Sequence, residues 1–111
     1  MTITQAQEFV DSACKAFIMP PCEIQQCRAR RAYYLPTSDV IRINPASEYS
    51  SNVQCVLHEL AHHIAWVEQS HRHHGPFYMT CLLSLIDWHT HENDLMFKYE
   101  WKEEYKSLIR F

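Results

Sequence analysis

The segment from Ser51 to Gln69 restricts this chain most. It runs without glycine or proline, and Val53, Val56, Leu57, Leu60, Ile64 and Val67 recur at three- and four-residue spacing. That period predicts an amphipathic helix whose apolar stripe must be covered by other elements. Ser51 with Gln54 has the spacing of a capping box, so the helix is expected to begin there.

Covering elements can be read on both sides. Thr4 to Met19 carries Ala6, Phe9, Val10, Ala13, Cys14, Phe17 and Ile18 on one stripe, with a capping box of Thr4 and Gln7 at its start and Pro20-Pro21 at its end. Cys22–Arg28, Arg31–Leu35 and Val40–Asn44 read as three short strands, the last two forming a hairpin around Pro36-Thr37-Ser38-Asp39. Ile41 and Ile43 are expected to face the core while Arg42 points outward. Pro76 suits the first turn of a further helix bearing Phe77, Leu82, Leu83, Leu85 and Ile86. A last helix is expected over Asn93 to Ile109, with Phe97, Trp101, Tyr105 and Leu108 in register, and His89 and His91 at the break before it. Helix, small sheet, then helices indicates an α+β fold in one domain. The length of 111 residues suits a single core.

Composition narrows the function. Apolar residues make up 47% and charged residues 21%, an ordinary globular balance, and the net charge of −3 argues against binding nucleic acid by overall charge. Neither a signal peptide nor a membrane-spanning run is visible, so no membrane association is expected. Cys14, Cys22, Cys27, Cys55 and Cys81 form an odd set without a CxxC pair, which reads as buried, reduced thiols in a cytoplasmic protein.

Histidine is concentrated: six of the eight lie between His58 and His74, and the chain's single glycine, Gly75, follows directly. Within the central helix stands His58-Glu59-Leu60-Ala61-His62. Residues four apart share a helix face, so two imidazoles one turn apart can bind one metal ion while the Leu60 stripe faces the core. Glu59 occupies the position of a general base in such a motif. A third protein ligand is required. A histidine six residues beyond His62 is absent, since Glu68 stands there and Ala65 replaces the glycine that spacing would need. His71, His73 and His74 all follow in a short loop, with His74 favoured because Gly75 permits a sharp turn and Pro76 begins the next helix. Glu92 or Glu100 would be a carboxylate alternative.

The run HELAHHIAWVEQSHRHHGPFY resembles the SprT-like zinc metallopeptidases, which pair an HExxH helix with a downstream His-Gly-x-x-aromatic element, here His74-Gly75-Pro76-Phe77-Tyr78. The segment AYYLPTSDVIRINP is similar to the tyrosine-bearing hairpin before the active helix of that family. The resemblance covers Ala32 to Ile86. It implies a minimal zincin domain with one zinc ion on His58, His62 and His74, Glu59 as catalytic base, and a protein or peptide substrate. The chain lacks the cysteine zinc ribbon of some members, so the peptidase core is what carries over.

Smaller features have plainer uses beside functional ones. Arg28, Arg30 and Arg31 would sit on a strand, two on one face, solvated or in contact with nucleic-acid phosphates. Tyr33 and Tyr34 either pack or offer a hydroxyl to a transition state. Trp66, Trp88 and Trp101 read as packing residues, and His63 points away from the metal direction. The competing function is a non-catalytic binding or regulatory module stapled by zinc, with or without a nucleic-acid partner.

Overall fold

The computed structural model describes residues 1–70 and 72–101. The elements are α1 (Ile3–Ala16), β1 (Glu23–Gln26), β2 (Tyr33–Leu35), β3 (Val40–Ile43), α2 (Val53–Gln69) and α3 (Pro76–Glu92). This is the α+β order expected, with one helix fewer among the described residues.

Helix α1 begins earlier than its pattern suggested. Thr2, not Thr4, is the cap: its Oγ1 accepts from the Gln5 amide at 3.1 Å, and Gln5 Oε1 accepts from the Thr2 amide at 2.9 Å. Gln7 is engaged elsewhere. Its Oε1 accepts from the Ile24 amide at 2.7 Å and its Nε2 donates to the Cys22 carbonyl at 3.0 Å, tying α1 to β1.

The strands form one sheet in the order β1-β3-β2. β2 and β3 are the expected antiparallel hairpin, with Tyr34 opposite Ile41, while β1 runs parallel to β3 with Ile24 opposite Ile41. Ile41 and Ile43 are wholly buried, as their alternation requires, and Arg42 is half-buried. Arg42 donates to Gln25 Oε1 at 3.1 Å and to the Tyr33 hydroxyl at 3.2 Å, bracing the three strands on their outer face. β1 ends at Gln26, so Arg28, Arg30 and Arg31 lie in the β1–β2 loop and not on a strand.

Helix α2 crosses the sheet and packs on α3. Val56, Leu57, Leu60, Ala61, Ile64 and Ala65 are buried in it, joined by Leu82 and Leu85 of α3. Each leucine so removed from water contributes about 1.5–3 kcal/mol. Val67, expected on the stripe, is 38% exposed because the stripe has rotated off the core by the last turn. Asn52 caps α2 in place of Ser51, its side chain accepting from the Cys55 amide at 2.8 Å. Ser51 instead donates to the Ser47 carbonyl. The helix ends at Ser70 in the left-handed region, φ 51.

Gly75 is the N-cap of α3 with φ −83 and ψ −174, extended backbone open to any residue. The turn before Pro76 therefore does not use glycine's conformational freedom. α3 continues through His89 and His91, so these lie in its last turn and not at a break. Residues 93–101, expected to start another helix, turn instead. The amides of Asn93 and Asp94 both donate to the His89 carbonyl, and Asp94 Oδ1 accepts from the Met96 amide. The chain then returns over α2, where Gln54 and the Glu100 backbone exchange two hydrogen bonds at 3.0 and 2.7 Å. The rest of that expected helix, with Tyr105 and Leu108, lies outside the described residues.

Candidate metal centre

The face of α2 opposite the Leu60 stripe carries His58 and His62 side by side, ring centroids 5.3 Å apart. His74, from the loop before α3, closes over both. Its Nε2 lies 2.9 Å from His62 Nε2 and 3.1 Å from His58 Nε2. One ligand atom from each of the three falls within 4.8 Å of the others. Among the described residues no other cluster of histidine, cysteine or carboxylate side chains does this. His73, Glu92 and Glu100 are not in the group, and His71 lies outside the described residues.

This donor set fits a metal ion. Tetrahedral zinc with bonds of about 2.0–2.1 Å holds its nitrogens a little over 3 Å apart. Three ring nitrogens pointed at one place face their lone pairs at each other unless a proton or cation stands between them. Imidazole suits several transition metals, zinc among them. His58, His62 and His74 can therefore hold a metal ion.

The supports of the triad come from three directions. Tyr78, wholly buried on α3, donates its hydroxyl to the His58 carbonyl at 2.9 Å, and its ring packs 4.5 Å from His62 and 4.7 Å from His74. Tyr99, on the returning segment, brings its hydroxyl to 3.5 Å from His58 Nδ1, the ring nitrogen away from the cluster. A partner on that nitrogen fixes ring orientation and tautomer. The third support is His63. It is completely buried, with Nε2 donating to the Pro20 carbonyl at 2.9 Å and Nδ1 3.0 Å from the Tyr34 hydroxyl and 3.4 Å from Asp39. Tyr34 in turn donates to Asp39 at 2.9 Å. Standing next to His62, this group pins α2 to the β2–β3 turn and to the end of the α1 connection.

Glu59 is buried under the same face. Burial pushes its carboxyl up to about 8, against a lowering backbone hydrogen bond from Tyr34. A carboxyl whose proton affinity lies near neutrality can take up and return a proton at ordinary pH.

The triad opens onto a cleft of about 910 Å³ that also reaches Glu59, β2 and the β1–β2 loop. Tyr33 and Tyr34 both line it, but their hydroxyls are bonded to Arg42 and to Asp39 and His63 respectively. Arg30 and Arg31 line it as well, whereas Arg28 does not. Tyr99 and the buried role of His63 escaped the sequence reading, whereas Tyr78 was marked there as the aromatic of the His-Gly-x-x-aromatic element, without its contacts to His58, His62 and His74.

No family model matches the chain, and neither a curated protein nor a solved structure is significantly similar to it. Among the described residues no helix is long and apolar enough to cross a membrane.

Proposed function

We propose that the chain is a zinc-dependent metallopeptidase of the SprT-like kind, with one zinc ion on His58, His62 and His74 and Glu59 as general base. The observation that carries this reading is the convergence of three imidazoles from two elements beside a buried carboxyl at the wall of an open cleft. Zinc bound there supplies a Lewis acid and allows water to be deprotonated near neutral pH. Glu59 takes the proton of the attacking water and returns it to the leaving amine nitrogen as the C–N bond breaks. β2 is an edge strand lining the cleft, so an extended peptide can add along it and lie across the triad. Tyr78, Tyr99 and the His63 group hold the imidazoles and the helix in place.

The test compares wild type with Glu59→Gln for zinc content and for cleavage of an unfolded protein such as casein. The expected result is one zinc per chain in both, with hydrolysis in the variant lower by about 10²–10⁴-fold. Zinc bound without hydrolysis in wild type refutes the enzyme and leaves a zinc-stapled module; hydrolysis indifferent to the substitution refutes Glu59 as the general base.

A further inference from the structure

The cleft beside the triad is basic in an acidic protein. The chain has a formal charge of −3, yet Arg30, Arg31 and Arg72 line this cleft. Two of these guanidiniums lie over rings: Arg30 is 5.0 Å from the Tyr49 centroid and Arg72 is 4.8 Å from that of Trp66. A ring neighbour of this kind attracts the cation without using up its N–H donors on an acceptor oxygen. Among the described residues no carboxylate lies within salt-bridge distance of any of the three.

Their placement along α2 is informative. Tyr49 precedes the helix, its carbonyl accepting from Cys55 Sγ at 2.9 Å, while Trp66 is in the last turns. His58 and His62 lie between. Cys55 to Trp66 spans about 16 Å of helix axis. An extended peptide covers that distance in about five residues.

We propose that the cleft takes peptides with acidic side chains on both sides of the bond to be cleaved, Arg30 and Arg31 engaging one side and Arg72 the other. The cleavage part rests on the metallopeptidase reading; the binding part does not. A peptide fits better than a nucleic acid because the basic groups sit at the two ends of the cleft and are not a continuous track.

The test measures fluorescence anisotropy of labelled ten-residue peptides on zinc-loaded Glu59→Gln protein, which binds without turnover. The peptides carry glutamates on both sides of a central Ala-Ala, on either side alone, or lysines on both. The doubly acidic peptide is expected to bind about ten-fold tighter than the lysine peptide, with the difference shrinking as salt is added. Arg72→Glu is expected to abolish the preference on one side, and Arg30→Glu with Arg31→Glu on the other, by about five-fold each. Both variants should bind the lysine peptide more tightly than the parent does, a gain that a misfolded protein would not show. Equal binding of all peptides overturns the proposal. So does tighter binding of a single-stranded oligonucleotide of equal charge, with the arginine reversals weakening only the oligonucleotide. The acidic preference without casein cleavage by wild type would remove the peptidase reading and leave this one standing.

Discussion

Replacing His74 by alanine removes one of three imidazoles, a half-buried loop ring that packs 4.7 Å from Tyr78, while its partners sit on α2. In metal-free protein the change should therefore cost about 1 kcal/mol, the usual size for a point substitution. It also relieves the crowding of Nε2 atoms at 2.9 and 3.1 Å. With zinc the difference is large. An ion present at a thousand times its dissociation constant stabilises the fold by about 4.1 kcal/mol. Loss of a direct ligand should cost at least the roughly 100-fold upper figure for residues that only support ligands. The same zinc concentration then stands at about ten times the new constant and stabilises by about 1.4 kcal/mol. At about 4 °C per kcal/mol, the zinc-induced rise in Tm should fall from about 16 to about 6 °C. Thermal melts of both proteins, chelated and zinc-loaded, measure all four values. An unchanged zinc increment in His74→Ala, or an equal loss of Tm with and without zinc, would refute the assignment of His74 as a ligand.

Three further outcomes follow from other parts of the structure. Gln7→Ala should lower stability by about 1–3 kcal/mol in urea melts, because the Ile24 amide loses its acceptor and the Cys22 carbonyl its donor; an unchanged midpoint would show that water replaces the clamp. His89 is buried against Phe9 and Phe97, and that burial lowers its pKa against the smaller raising pull of Asp94. Its folded value lies below its unfolded one, so the stability it permits is present above about pH 6.5 and is lost as pH falls through the folded value. His89→Phe should accordingly gain on wild type in melts below that pH, and a pH-independent difference would contradict this. Burial pushes the Cys14 and Cys81 thiols up to about 11 and raises Cys22 further. Under iodoacetamide, half-buried Cys27 should be alkylated well before these three, as read by mass spectrometry.

Local chemistry made much of this protein readable before any fold was known. Helix periodicity marked Val56, Leu57, Leu60 and Ile64 on the buried face of α2, strand alternation placed Ile41 and Ile43 inside, and the His58–His62 spacing put two imidazoles on the opposite face. These hold because each depends on residues within one or two turns of each other. The misread positions depend on partners far along the chain. Gln7 had the spacing of a capping box but serves β1 through contacts fifteen and seventeen residues away. Val67 keeps the apolar period yet is 38% exposed, and residues 93–101 carry a helical pattern but leave it where the Asn93 and Asp94 amides bond the His89 carbonyl. The same limit applies to the site. Sequence left His71, His73 and His74 open as third ligand; only loop closure over α2 brought His74 to the other two. Tyr99 and His63 gained their roles through packing across 41 and 29 residues, distances at which spacing carries no signal and only the tertiary structure decides which side chains meet.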